Sequence, residues 1–227
     1  MLIIFDLDDT LIDTSGCITY HKLEEALLSM QKEGLQLEDF QASLELLRRL
    51  DSAAGSARDA ISEFVEIVGA DPRFAAVGIK EVYHGSLPDL PIVSLKGVQE
   101  TLFELSLQHQ LALVSNGRPE IQLLKLKKAG IDSRIFSKIA VADERCKRER
   151  YQSIVEELGY SPSQVIVCGD RVSIDLVPGR ELGFKTVHVQ WGRGLNASAV
   201  FCDVDYSISE IADLKSIVGG LKTFSTF

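Results

Sequence analysis

Short runs of consecutive apolar residues recur along the chain, and most are followed by segments with helical periodicity. Continuous apolarity, as opposed to alternation of apolar and polar residues, is typical of strands that are covered on both faces. The runs therefore predict a parallel sheet. They are LIIFD (2–6), LALVS (111–115), KIAVA (138–142), VIVCGD (165–170), TVHVQ (186–190) and a weaker one, VDYSI (204–208).

Helical patterns separate these runs from about residue 95 onward. One helix is predicted after Arg118, with Pro119 near its start, apolar positions at Leu123, Leu124 and Leu126, and an end at Gly130. Another is predicted by Tyr151, Ile154, Val155 and Leu158, before Gly159. Regular alternation of strand and helix predicts a doubly wound α/β fold.

Residues 16–90 contain no convincing strand. We interpret them as an all-helical domain inserted into an α/β core formed by residues 1–15 and 91–227. Asp71-Pro72 is typical of a helix N-terminus, with the proline in the first turn. The apolar stripes comprise Tyr20, Leu23, Leu27 and Met30; Phe40, Leu44 and Leu47; Ile61, Phe64, Val65 and Val68; and Phe74, Val77 and Tyr83.

Composition limits the partners of the protein. With 227 residues, of which 45% are hydrophobic and 25% charged, the chain can form one large domain or a main domain with a smaller insert. The net charge of −9 argues against nonspecific binding to nucleic acid or to anionic membranes, because both are polyanions. A small phosphorylated metabolite remains possible if a metal and local cations reverse the sign of charge at the site.

The cysteines predict the compartment. Cys17, Cys146, Cys168 and Cys202 form no CxxC pair and have no histidine at zinc-site spacing. We interpret them as reduced thiols of a cytoplasmic protein. No apolar stretch approaches the roughly 20 residues of a membrane span. We expect a monomer or a homodimer.

Polar and charged residues follow each of the first four strands. Ligands of open α/β sheets bind beyond the carboxyl ends of the strands, so these residues are expected at one edge of the sheet. They are Asp6-Leu7-Asp8-Asp9-Thr10 after the first strand, Ser115-Asn116-Gly117 after the second, Arg145-Cys146-Lys147-Arg148 after the third, and Gly169-Asp170 with Asp175 after the fourth.

DLDDT, SNG, a basic residue and GDRVSID, in this order and at these strand ends, resemble the haloacid dehalogenase superfamily of phosphohydrolases. The resemblance covers nearly the whole chain apart from the helical insert. An early, all-helical insert is similar to the helical cap of the phosphoglycolate phosphatase branch. The resemblance implies a Rossmann-like core, a helical cap over residues 16–90 and a small-molecule phosphatase that uses Mg²⁺.

The chemistry of phosphate monoesters accounts for the carboxylates. A carboxylate nucleophile divides the hydrolysis into two steps through an aspartyl-phosphate, and Asp6, at the end of its strand, is the candidate. Asp8 points to the same side of an extended chain and is the candidate acid and base. An anion that attacks an anion needs Mg²⁺, for which we expect Asp6, the Asp8 carbonyl and Asp170 as ligands.

The remaining strand ends supply the other roles. Ser115 and the backbone N–H groups of Asn116 and Gly117 are the candidate phosphate-binding groups. A cation from the third loop would stabilise developing charge. The Lys-Pro pair that is usual in the family is absent here, so either Lys147 or Arg145 takes this role; we favour Lys147, because a compact ammonium suits an ion pair with the aspartates. Asp175 is expected to support the metal ligands.

Each element by itself also has a structural explanation. Asp8-Asp9-Thr10 could form an exposed turn, SNG could be an ordinary turn, and the basic run could be a solvated patch. Asp175 could cap a helix through Leu176 to Leu182. Only the joint pattern favours an active site.

The leading hypothesis is a Mg²⁺-dependent phosphatase that acts on a small phosphorylated metabolite through an aspartyl-phosphate. A phosphosugar mutase and a noncatalytic phospho-ligand-binding protein are the alternatives. Dehalogenation is disfavoured, because the dehalogenating branch lacks a carboxylate at the position of Asp8. A receiver-type signalling domain is excluded, because its phosphorylated aspartate follows a later strand. The substrate stays open: Arg48, Arg49, Arg58 and Arg73 are candidates in the insert, although surface charge explains each equally well.

Overall fold

The structure, a computed structural model, describes residues 1–87, 89–142, 147–196 and 204–223. These residues form a six-stranded parallel sheet with the strand order β3-β2-β1-β4-β5-β6. The predicted doubly wound α/β fold is confirmed. The strands are β1 (Leu2–Phe5), β2 (Gln110–Asn116), β3 (Lys138–Ala142), β4 (Val165–Gly169), β5 (Lys185–Val189) and β6 (Tyr206–Ile208).

The helices include the segments whose periodicity predicted them, although Tyr20 and Val68, expected on buried stripes of the insert, are exposed. In chain order they are α1 (Tyr20–Lys32), α2 (Phe40–Ala53), α3 (Ala57–Ile67), α4 (Arg73–His84), α5 (Val98–Ser106), α6 (Pro119–Lys128), α7 (Lys147–Leu158), α8 (Val177–Glu181) and α9 (Leu214–Thr223).

The chain divides into two compact units, Met1–Asp13 with Pro91–Phe227, and Thr14–Leu90. We call them the α/β unit and the helical unit. In the α/β unit the central strand β1 lies between β2 and β4, so that Ile3 pairs with Leu111 on one side and with Ile166 on the other. All four residues of β1 are fully buried. The continuous apolar run LIIF is therefore explained by burial on both faces of the strand.

The helical unit contains α1 to α4 and has its own hydrophobic core, which includes Leu27, Leu47, Phe64 and Phe74. Asp39 begins α2 by accepting hydrogen bonds from the backbone N–H groups of Gln41 and Ala42. Ser56 caps α3 in the same way through Asp59 N. The described residues of this unit form helices and turns, as predicted.

The predicted start of α4 needs one correction. Pro72 was expected inside the first turn, but the helix begins at Arg73 and Pro72 lies immediately before it. The Asp71 carboxylate nevertheless accepts a hydrogen bond of 2.9 Å from Arg73 N, so it satisfies one of the free N–H groups at the helix start.

One side-chain contact lies at the end of the first segment of the α/β unit. Trp191 follows β5 directly, and its indole Nε1 donates a hydrogen bond of 3.1 Å to Asp13 Oδ1. Asp13 is the last residue of the α/β unit before the chain enters the helical unit. The hydrogen bond thus connects the loop after β5 to the chain crossing, the point at which the chain passes from the α/β unit into the helical unit.

Two further findings concern the thiols and the helices. Cys17 and Cys168 are free thiols, whereas Cys146 and Cys202 lie outside the described residues. In the described part of the chain, every helix is too short or too polar to span a bilayer.

Candidate active site

The ends of β1 and β4 bring two aspartates together. These strands are neighbours, and Asp6 N donates a hydrogen bond of 2.9 Å to Cys168 O. Asp6 and Asp170 then follow their strands at the same edge of the sheet, where both side chains are almost fully buried. One carboxylate oxygen from each of Asp6, Asp170 and Asp175 lies within 4.8 Å of the others. Three of the predicted carboxylates therefore form one cluster.

Lys147 neutralises part of this cluster. It is the first residue of α7, and its Nζ lies 2.5 Å from Asp6 Oδ1 and 2.6 Å from Asp175 Oδ1. Burial alone would lower the pKa of Lys147, but the Asp175 and Asp6 carboxylates outweigh it and raise that pKa, so the ammonium stays charged. The basic run is thus no solvated patch at this position. Arg145, the alternative to Lys147, lies outside the described residues.

Asp175 holds two parts of the site in place. Its Oδ1 accepts from Lys147, and its Oδ2 accepts a hydrogen bond of 2.9 Å from Arg171 N. The alternative of a helix cap is wrong: Asp175 lies inside the helical turn Val172–Leu176, and α8 begins after Leu176 without a side-chain cap. Gly169 leaves room for the Asp175 side chain, because a Cβ on residue 169 would lie 2.5 Å from Asp175 Cβ.

The electrostatics of the cluster favour a further positive charge. Burial raises the pKa of Asp6 to about 6, even though Lys147 lowers it. Burial and the Asp175 and Asp6 carboxylates raise the pKa of Asp170 well above its ordinary value. Two buried oxygens, Asp6 Oδ2 and Asp170 Oδ1, have no hydrogen-bond partner among the described residues. Hard carboxylate oxygens with free lone pairs are the ligands that Mg²⁺ prefers, so this donor set fits that ion.

Asp8 lies in a different set of contacts. Its Oδ1 accepts from Lys125 Nζ at 2.7 Å, and its Oδ2 accepts from Gln122 Nε2 at 2.8 Å. Its neighbours Asp9 and Thr10 are buried, so the alternative of an exposed turn is wrong. The backbone of Asp9 is left-handed, with φ 54°, which turns the chain sharply after Asp8.

Gln122 and Lys125 are site residues that the sequence analysis missed. The predicted apolar stripe of α6 is correct for Leu126 but wrong for Leu123 and Leu124, which are exposed. The inner face of α6 instead carries Gln122 and Lys125. These residues are three positions apart and therefore lie on the same face of the helix, from which both side chains reach Asp8, just after β1. The sequence feature that could have identified them is their spacing of three residues, in a helix that directly follows the SNG segment.

The phosphate-binding candidates lie at the end of β2. Ser115 is buried, and its Oγ lies 2.6 Å from Gln122 Nε2. Asn116 is the last residue of the strand, and its Oδ1 is buried without a hydrogen-bond partner in the described structure. Gly117 has φ +120°, a conformation that L side chains rarely adopt, so glycine suits the abrupt turn after the strand.

Two more residues contact the cluster or act on its charge. Arg171, within GDRVSID, lowers the pKa of both Asp6 and Asp170 through its charge, although burial has the larger effect on each. His188 of β5 is buried, and its Nε2 lies 3.0 Å from Asp170 O. Arg171 lies within the GDRVSID motif, but the sequence alone indicates no role for it.

A comparison with protein families shows the family of this chain. The model of the haloacid dehalogenase-like hydrolase family matches residues 3–189, which include all of the residues described above as candidates. The chain belongs to this family. The resemblance inferred from the sequence motifs is therefore confirmed, and so is the prediction of a hydrolase.

Individual relatives of this haloacid dehalogenase-like hydrolase cover nearly its whole length. Glyceraldehyde 3-phosphate phosphatase of Methanocaldococcus jannaschii is 28% identical over 97% of this chain and 97% of its own. Pyrophosphatase PpaX of Oceanobacillus iheyensis is 27% identical over 96% of each chain. A solved structure described as a predicted phosphoglycolate phosphatase, from Haemophilus somnus, has a TM-score of 0.70 with 20% identity, and covers 96% of this chain and 97% of that one.

Proposed function

We propose that this haloacid dehalogenase-like hydrolase is a Mg²⁺-dependent phosphatase that acts on small phosphorylated metabolites through an aspartyl-phosphate. The observation that carries the proposal is the Asp6 carboxylate. One of its oxygens contacts Lys147, and the other is buried beside Asp170 without a hydrogen-bond partner among the described residues. An oxygen in this position can bind a cation or attack a phosphorus atom.

The first step forms the intermediate. An Asp6 oxygen attacks the phosphorus of the monoester, and the bond between phosphorus and the ester oxygen breaks. Asp8, in its protonated form, gives its proton to the departing oxygen, so that an alcohol leaves. Lys147 remains paired to Asp6 and Asp175 and limits the negative charge that accumulates.

The second step restores the enzyme. Asp8, now a carboxylate, takes a proton from a water molecule whose oxygen attacks the same phosphorus. The bond between phosphorus and Asp6 breaks, and orthophosphate is released. Ser115 donates a hydrogen bond to a phosphoryl oxygen in both steps, together with backbone N–H groups of Asn116 and Gly117.

Asp6, Asp170 and the Asp8 carbonyl would hold Mg²⁺, with Asp175 as the support of the cluster. When bound, the ion supplies charge neutralisation and orients the phosphoryl group. Two buried oxygens, Asp6 Oδ2 and Asp170 Oδ1, lack a hydrogen-bond partner in the described part of the chain and so support this assignment, as do the raised pKa values of Asp6 and Asp170.

The names of the relatives support the substrate class. Two of them are named for the hydrolysis of a three-carbon phosphosugar and of pyrophosphate. Both substrates are small and carry phosphate as the main charged group, which agrees with a site where Lys125 and Lys147 lie beside the carboxylates of an acidic protein.

The direct test is phosphate release from a panel of phosphorylated metabolites and from p-nitrophenyl phosphate, with Mg²⁺ and with a chelator. We expect release with Mg²⁺, none with the chelator, and recovery when Mg²⁺ is restored. Release that persists at full rate in the chelator would contradict the metal assignment. A requirement for a bisphosphate, with no net release, would indicate a mutase, and no reaction with any substrate would indicate a binding protein.

A further inference from the structure

The amide nitrogen of Gln122 is surrounded by acceptors. Its Nε2 lies 2.8 Å from Asp8 Oδ2, 2.6 Å from Ser115 Oγ and 2.9 Å from Asn116 O. The side chain is buried. A primary amide nitrogen carries two hydrogens and accepts no hydrogen bond, so it cannot satisfy three acceptors fully at one time.

Two of these neighbours fix the orientation of the amide. The Asn116 carbonyl accepts only, and so does the Asp8 carboxylate when it is ionised. If the amide were rotated by 180°, its carbonyl oxygen would face both of them and repel them. The nitrogen must therefore point toward Asp8 and Asn116.

This orientation has a consequence for Ser115. Its hydroxyl faces a nitrogen that cannot accept a hydrogen bond, so the Ser115 hydroxyl cannot donate to Gln122, whichever two acceptors share the two amide hydrogens. The hydroxyl hydrogen is not used by Gln122 and can be donated elsewhere. A phosphoryl oxygen beyond the end of β2 is the acceptor that the proposed reaction would bring.

Lys125 completes the arrangement from the same helix. Its ammonium is bound to Asp8 Oδ1, whereas Gln122 is bound to Asp8 Oδ2. Both oxygens of Asp8 are thus held from α6, and Gln122 links that carboxylate to the phosphate-binding strand end. Only 10% of the Lys125 side chain and 26% of the Asp8 side chain are exposed, so the ion pair is partly shielded from water.

We propose that Gln122 and Lys125 are positioning residues: they fix the Asp8 carboxylate, and Gln122 makes Ser115 a donor to the phosphoryl group. The proposal rests on the phosphatase activity proposed above. Neither side chain transfers a proton or bonds to phosphorus. Gln122 acts through Asp8 and Ser115, and Lys125 acts through Asp8.

The two roles have separate kinetic signatures. Proton transfer from Asp8 matters most when the departing oxygen is a poor leaving group, as in an alkyl phosphate, and least for p-nitrophenolate. Loss of the Ser115 donor instead weakens the binding of phosphate itself. A general loss of packing would lower kcat/KM for both substrates alike. It would not selectively raise the inhibition constant of orthophosphate.

The experiment compares Gln122→Met with Gln152→Met in the full chain with Mg²⁺. Methionine has nearly the length of glutamine but donates no hydrogen bond. Gln152 is exposed, and its amide bonds only to Glu156 among the contacts described. For each variant we would measure kcat/KM with glycerol 2-phosphate and with p-nitrophenyl phosphate, and the inhibition constant of orthophosphate.

For Gln122→Met we expect an inhibition constant of orthophosphate that is higher by about tenfold. We expect kcat/KM for glycerol 2-phosphate to fall about tenfold more than for p-nitrophenyl phosphate. Gln152→Met should match the wild type in all three quantities. Asp8→Asn should show the same substrate signature as Gln122→Met, and more strongly.

Two variants of Lys125 test the proposal independently. They decide it even if circular dichroism shows that Gln122→Met does not fold. Lys125→Met should shift the substrate ratio in the same direction, and Lys125→Arg should restore most of it, because a cation is retained. Orthophosphate inhibition should change little in either, since Ser115 is not a Lys125 contact.

The outcomes separate the two proposals. A wild-type protein without phosphatase activity would refute the proposed function. An active wild type with unchanged ratio and unchanged orthophosphate inhibition in folded Gln122→Met would overturn the positioning role of Gln122. Equal ratios in Lys125→Met and Lys125→Arg would overturn that of Lys125.

Discussion

Lys147 Nζ and Asp6 Oδ1 lie 2.5 Å apart, and only 1% of either side chain is exposed to solvent. The same ammonium also contacts Asp175. A buried ion pair contributes little net stability compared with an apolar pair, but removal of one partner leaves an uncompensated buried charge. Lys147 is therefore the residue on which both the folded state and the charge balance of the site depend.

The first prediction is that Lys147→Met unfolds more easily and is nearly inactive. Two buried carboxylates lose their cation, so we expect the free energy of unfolding to fall by about 3–5 kcal/mol. Lys138→Met is the matched control, because Lys138 pairs with Glu157 at the surface and should change stability by at most about 1 kcal/mol. Denaturant titration and phosphate release would measure both effects. Equal stabilities of the two variants would contradict the prediction.

The second prediction concerns the nucleophile. Asp6→Asn should lower kcat by roughly 10³-fold or more, because an amide cannot form the aspartyl-phosphate. Stability should change little, since burial makes the ionised Asp6 costly while Lys147 keeps Asp175 as a partner. Asp132→Asn is the control, because Asp132 is exposed and, among the described residues, its carboxylate contacts its neighbour Arg134. Wild-type turnover in Asp6→Asn would refute the covalent mechanism.

A third prediction uses two glycines. A methyl group at Gly169 would lie 2.5 Å from Asp175 Cβ, so Gly169→Ala should displace Asp175 and cost about 1–3 kcal/mol of stability together with most of the activity. Gly219 in α9 has nothing within 4 Å of the corresponding position. Gly219→Ala should therefore be neutral or stabilising by up to about 1 kcal/mol, with full activity. The two melting temperatures and rates test the contrast; a neutral Gly169→Ala would show that the site tolerates displacement.

The fourth prediction is that the helical unit acts as a lid that sets specificity. Replacement of residues 16–90 by a short linker should leave a folded α/β domain, because each unit has its own apolar core. Activity toward p-nitrophenyl phosphate should fall, and discrimination among metabolites should fall much further. The measurement is the ratio of kcat/KM between the best and the worst substrates of the panel. If the ratio survives the deletion, specificity lies in the α/β unit.

The strand ends were the part of the site that the sequence predicted well. Each of the runs before Asp6 and Asp170 is continuously apolar, so the position at which it stops marks the sheet edge. The structure then brings Asp6, Lys147, Asp170 and Asp175 together. The roles of these residues in the reaction stay predictions.

The helix faces were harder to predict. In α6 the apolar residues Leu123 and Leu124 suggested the buried face, yet Gln122 and Lys125 occupy it. A polar residue on a buried face is stable only if it finds partners, and here the partner is Asp8, far away in sequence. Such a pairing depends on which strand lies next to which, and local periodicity carries no information on that order.

The contact between Trp191 and Asp13 provides an optical probe at the point where the chain leaves the α/β unit. The protein contains a single tryptophan, so its whole indole emission comes from this one hydrogen-bonded ring. About 40% of Trp191 is exposed, which leaves the ring sensitive to the polarity of its surroundings. A movement that separates Trp191 from Asp13 would shift the emission wavelength without any introduced label. Stopped-flow fluorescence could therefore follow events at this chain crossing during turnover, and Asp13→Asn would serve as the reference for the altered hydrogen bond.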